Sequence, residues 1–104
     1  AHPEPPTAVF THNDVLAMGA LHTIHCAGLR VPEDISVVGY DDITSAAYFS
    51  PPLTTVRSPK AEMGVLAAHT ILQLVRRKEP LPVQTFTLPV ELVVRASTAP
   101  PPKH

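Results

Sequence analysis

The chain has 104 residues, 44% hydrophobic and 16% charged, enough to pack one small domain and too apolar for a disordered tail. Its formal charge is −1 and its pI is near 6.6, so it lacks the basic stripe of a self-sufficient nucleic-acid binder. The single cysteine, Cys26, excludes an internal disulfide and points to a reducing cytoplasm, and no apolar run approaches the ~18 residues of a membrane span.

The chain opens on an extended, proline-rich stretch, Ala1-His2-Pro3-Glu4-Pro5-Pro6, with no signal-peptide pattern before the first strand. Thr7-Ala8-Val9-Phe10 reads as a short buried strand. Asn13 follows as a helix N-cap, with Asp14 in the first turn, where negative charge opposes the positive end of the helix dipole. The helical pattern runs from Val15 to Ala27. Leu16, Ala20, Ile24 and Ala27 share one face, and Met18 and Leu21 an adjoining one. Gly28 ends the helix as a C′ residue.

Leu29 to Asp34 connects to a β-branched run, Ile35-Ser36-Val37-Val38-Gly39-Tyr40, a second buried strand. Strand, helix and strand in this order make a βαβ unit, whose strands run parallel through a right-handed crossover. Asp41-Asp42 falls at the carboxyl end of the second strand, as Asn13 does just past the first. Open parallel sheets bind ligands outside the carboxyl ends of their strands, so an amide and a carboxylate converge on the expected ligand edge.

Ile43 to Tyr48 reads as a short helix capped by Asp42 and ended by Pro51-Pro52. Leu53-Thr54-Thr55-Val56 is extended. Ser58 as N-cap and Pro59 at the first helical position open a second helix, to about Arg77. Its apolar face carries Met63, Leu66, Ala67, Thr70, Ile71 and Leu74. Arg76-Arg77-Lys78 complements the dipole at its end. Phe86 to Val94 is strand-like but interrupted by Pro89, and Ala96 to His104 reads as frayed.

Four of these segments, in series, resemble the LacI/GalR repressor family. They are Pro6 to Leu21 around Thr11-His12-Asn13-Asp14, Gly28 to Asp42 around Val37-Val38-Gly39-Tyr40-Asp41-Asp42, Pro52-Leu53-Thr54-Thr55-Val56, and Leu92-Val93-Val94-Arg95-Ala96-Ser97-Thr98. The resemblance implies part of a type I periplasmic-binding-protein-like fold, three-layer α/β/α with a parallel sheet. In that family two α/β lobes are joined by three crossing strands and hold a small effector in the cleft, and an N-terminal helix-turn-helix binds an operator as a dimer. Residues 1–52 would then belong to the C-terminal lobe, 53–58 to a hinge crossing, 59–91 to the N-terminal lobe and 92–98 to a return strand. The DNA-binding domain is absent from this chain, so operator DNA would be reached only through it. With most of the N-terminal lobe outside the chain, the second helix would need another cover for its apolar face, such as a second copy.

By the same resemblance Asn13 and Asp41 are the effector-binding residues, and the effector is a sugar or a nucleoside-like molecule, since a carboxylate accepts several hydroxyl donors. The plain alternatives are a helix cap for Asn13 and a solvated strand-end acid for Asp41. Met18, Leu21, Tyr48 and Phe49 match positions that face the partner subunit of a homodimer; the alternative is core packing. His22 and His25 share a helical face beside Cys26, but no second ligand cluster accompanies them, so no metal or other cofactor is expected. Neither Cys26 nor Ser36 nor Ser58 has a positioned base or a nucleophile elbow, so no enzymatic activity is expected. The functional expectation is the effector-sensing and dimerisation portion of a sugar-responsive repressor in the cytoplasm. The alternative is a periplasmic sugar-binding protein of an uptake system.

Overall fold

A computed structural model of the chain describes residues 4–77, 80 and 82–103. Lys78, expected at the end of the second helix, and the first residues of the extended start lie outside the described residues. The chain forms two compact units, one of Ala1–Arg57 with Glu91–His104 and one of Ser58–Val90.

The first unit is built on the expected βαβ motif. Strand β1 (Ala8–Phe10) leads through helix α1 (Asp14–Cys26) to strand β2 (Ser36–Val38). The two strands are parallel, with Ala8, Val9 and Phe10 opposite Ser36, Val37 and Val38. β1 is less buried than its apolar run implies, because Val9 alone turns partly inward while Phe10 stays 69% exposed.

Helix α1 is delimited by local chemistry at both ends. The Asn13 side chain accepts the Leu16 N–H at 2.9 Å, which satisfies one of the unpaired donors of the first turn. At the other end Gly28, at φ +80°, donates to the His25 carbonyl, and Leu29 donates to the Ile24 carbonyl. This pair of bonds is the Schellman cap, and it requires the left-handed backbone that glycine adopts without a Cβ penalty. The buried face of α1 differs from the expected one. Asp14, Ala17 and Leu21 are buried and Ile24 partly so, whereas Leu16 is 54% exposed. The helix is apolar on several faces, so periodicity alone left its rotation open.

The core gathers Ala17, Leu21, Val31, Ile35, Val37, Ala46 and Leu53. Burying a side chain of the size of Leu21, Val37 or Leu53 stabilises the fold by about 1.5–3 kcal/mol. Ala46 comes from a 3-10 turn (Thr44–Tyr48), where a short helix was expected. Strand β3 (Thr55–Arg57) pairs antiparallel with β4 (Glu91–Val93), with Thr55 opposite Val93 and Arg57 opposite Glu91. Just before β3, Thr54 bridges Val38 in parallel, and the Gly39 N–H donates to the Thr54 carbonyl at 3.0 Å. The segment 53–57 therefore runs beside the end of β2.

The tail after β4 is not frayed as the sequence suggested. Ser97 is fully buried; its hydroxyl donates to the Val37 carbonyl and accepts the Thr54 N–H at 2.8 Å, and its carbonyl accepts the Val37 N–H. Ser36 Oγ exchanges hydrogen bonds with the Ala99 backbone. These polar contacts lie between residues 43 to 63 apart in sequence, which no local pattern reveals.

The second unit is built around helix α2 (Lys60–Arg76). It begins one residue later than expected, and Pro59 takes the N-cap position with no side-chain cap, so Ser58 does not cap it; the Ser58 carbonyl accepts the Lys60 N–H instead. Of its apolar face only Leu66 and Thr70 are partly buried, and no residue of α2 is fully buried.

Candidate functional site at the carboxyl edge of the parallel strands

The two polar tips of the βαβ unit stand on one edge. The Thr11 N–H donates to the Val38 carbonyl at 2.9 Å, and the Thr11 hydroxyl contacts the carbonyls of Val38 and Asn13. The Asp14 N–H donates to the Tyr40 carbonyl at 3.0 Å. These bonds join the loop that carries Asn13 to the loop that carries Asp41, and parallel pairing of β1 and β2 puts both loops past the carboxyl ends.

The turn after β2 is strained. Asp41 has φ 121° and Asp42 φ 53°, so two consecutive non-glycine residues occupy left-handed backbone, at a cost of about 1–3 kcal/mol each. Such a turn persists where its surroundings over-determine it. The Asp41 N–H donates to the Val56 carbonyl at 2.9 Å and the Asp42 N–H to Thr55 Oγ1 at 3.4 Å.

Asp42 does not cap the following turn, as the sequence suggested. The N-cap there is Ile43, without a side-chain bond, because the Asp42 carboxylate is engaged elsewhere. It accepts from Arg57 Nε and from Arg95 Nη2, each at 2.7 Å. Burial of the carboxyl opposes its charge, but hydrogen bonds from Arg57 and Arg95 outweigh that effect and hold it below the usual carboxylate range. Arg95 is further fixed by donating through Nη1 to the Leu53 carbonyl at 2.9 Å.

Asp14 stands in the first turn of α1, as expected of a helix-start charge, and is fully buried there. Its carboxylate accepts from the Thr55 hydroxyl at 2.6 Å and the Ile43 N–H at 2.9 Å. Gly39 makes this possible. A Cβ at that position would stand 2.2 Å from Asp14 Oδ1 and 2.9 Å from Leu53 Cδ2, so only glycine leaves room for the carboxylate. Asp14 thus ties the start of α1 to β3 and to the chain after the Asp41-Asp42 turn. Sequence reasoning missed this role. The available signal was Gly39 inside an otherwise β-branched strand pattern, which marks a close approach by another group. Arg95 at the end of an apolar strand run was a similar signal of a carboxylate partner.

The residues expected at a subunit interface separate. Met18 is 51% and Tyr48 84% exposed. Phe49 is partly buried against the core, and Leu21 is a core residue. A depression of about 440 Å³, lined in part by Pro6, Leu29, Asp34 and Ile35, lies at the opposite edge, before the amino ends of β1 and β2. Cys26 Sγ lies 3.7 Å from His22 Nε2 on exposed helix surface. Among the described residues no group of three potential ligands gathers around one point, and no helix is long and apolar enough to cross a membrane.

Residues 1–98 match the family described as the periplasmic binding protein-like domain. Over 94 residues the chain is 46% identical to the HTH-type transcriptional repressor PurR of Aliivibrio fischeri (strain ATCC 700601 / ES114), which covers 90% of this chain. The chain spans about 28% of the length of that relative. Among solved structures, the complex of the transcriptional regulator CelR with cellobiose superposes with a TM-score of 0.81 at 38% identity, covering 88% of this chain and 28% of that one. The lac repressor dimer bound to operator and the anti-inducer ONPF superposes with a TM-score of 0.77 at 42% identity, covering 89% and 32%.

Proposed function

The chain belongs to the periplasmic binding protein-like domain family, among the LacI/GalR regulators, and we propose that it serves as the C-terminal part of an effector-sensing domain in a ligand-responsive transcriptional repressor. The observation that carries this reading is the placement of Asn13 and Asp41 past the carboxyl ends of two parallel strands, with their loops tied by the Asp14–Tyr40 hydrogen bond. A carboxylate and an amide at such an edge suit a ligand rich in hydroxyls, a sugar or a nucleoside-like molecule. Asn13 keeps its capping bond to Leu16, which leaves its amide NH₂ as the group for a ligand acceptor.

On this reading residues 1–52 belong to one lobe, 53–58 and 92–98 to crossings between lobes, and 59–91 to the other lobe. A second copy docks on the surface carrying Met18 and Tyr48, backed by Phe49 and Leu21. The protein works in the cytoplasm and without catalysis. It reaches its operator through residues outside this chain, and effector and operator are coupled by a shift between lobe arrangements. The relatives favour a regulator over an uptake component.

The test is calorimetric titration of the full-length protein with cellobiose, D-ribose and adenosine. At least one ligand should bind, and Asp41→Ala should weaken it by roughly 10–100-fold, the loss typical of a hydrogen-bonded charged acceptor. A ligand that binds wild type and Asp41→Ala alike would remove Asp41 from the site and the reading with it.

A further inference from the structure

Four hydrogen bonds tie the strained turn at Asp41 and Asp42 to two segments of the chain. Val56 and Thr55 hold its backbone, and Arg57 and Arg95 hold the Asp42 carboxylate. Those segments are β3 and the stretch from β4 to Arg95, the second residue after it. They are also where the chain passes from the first unit to the second, between Arg57 and Ser58, and returns, between Val90 and Glu91. One carboxylate, next in sequence to the candidate effector residue, therefore bridges both passages.

The two ion pairs are unequal. Arg95 has a side chain 18% exposed, and it is held twice more, by its Nη1 bond to the Leu53 carbonyl and by its backbone N–H bond to Thr54 Oγ1 at 2.9 Å. It is an anchor. Arg57 is 49% exposed, stands at the last residue of β3 and meets Asp42 through Nε. An exposed pair of this kind forms and breaks at small net cost, whereas a buried, multiply bonded one does not. Because the Asp41 N–H is bonded to Val56, a shift of the Asp41 backbone is felt one residue away from Arg57.

We propose that Asp42 and Arg57 form an exchangeable latch that transmits occupancy of the Asp41 edge to the two crossing segments, with Arg95 as its fixed anchor. Arg57 is thus a positioning residue that acts through Asp42. The inference rests on the reading of Asp41 as an effector residue. It adds the means by which the edge and the crossings communicate.

The test uses the full-length protein, with cellobiose, D-ribose and adenosine as probes, and amide hydrogen exchange as the readout. In wild type the probe that binds should slow exchange by at least fivefold both at residues 39–43 and at residues 55–57 and 91–93. In Arg57→Gln the slowing at 39–43 should persist, with the probe's affinity changed less than threefold, while that at 55–57 and 91–93 falls below twofold. Arg57→Lys, which keeps the charge, should restore at least half of it. Slowing at the crossings that survives in Arg57→Gln overturns the latch and leaves the effector site standing. If no probe binds wild type, the effector reading falls and the latch falls with it. A variant with weakened exchange protection throughout, without any probe, would show a merely structural Arg57 and overturn the proposal equally.

Discussion

Helices α1 and α2 read alike in the sequence and differ in the structure. Each has an acidic residue in its first turn, a basic one in its last and an apolar stripe. In α1 the acid, Asp14, is fully buried, and Ala17 and Leu21 enter the core; in α2 no residue is buried, and Val75 is 77% exposed. Amphipathic periodicity shows that a face is suited to burial. What buries it is the presence of strands and loops at the right distance, which α1 has in β2 and in the turn before β3.

The largest effect should come from Asp14→Ala, which leaves the Thr55 hydroxyl and the Ile43 N–H without their acceptor. A loss of about 2–4 kcal/mol is expected from stranding two buried donors. The same change at Glu62, the first-turn acid of α2, should stay within about 0.5 kcal/mol, as for an exposed site. Urea denaturation of the two variants measures the contrast, and equal midpoints would erase it.

Smaller is the effect of removing the helix stop. Gly28→Ala forces a Cβ into left-handed backbone at φ +80°, with open space around it, so the loss is the conformational penalty alone, about 1–2 kcal/mol. α2 ends with its C-cap, Arg77, in extended backbone. Thermal melting of Gly28→Ala beside Gly28→Asn would check this, because asparagine tolerates that conformation and should recover part of the loss.

The smallest is Val75→Ala on α2, expected to change stability by less than about 0.5 kcal/mol, as for other exposed sites. A loss above 1 kcal/mol in the full-length protein would mean that this face is covered there, and would sharpen the comparison into one between a helix packed by its own unit and one packed by chain outside these residues.

The sequence by itself determined the local parts. The βαβ order, the Asn13 cap, the Gly28 stop and the edge on which Asn13 and Asp41 lie all follow from short-range rules: side-chain period, capping chemistry and the handedness of parallel crossovers. Only the tertiary structure decided the rotation of α1, the burial of Asp14 against Gly39, the pairing of Asp42 with Arg57 and Arg95, and the anchoring of Ser97 beneath β2. Those partners are separated by 15 to 60 residues or by a contact no spacing rule encodes. A charged or hydroxyl side chain looks the same in sequence whether water or a distant partner satisfies it; which of the two does so is a property of the assembled chain.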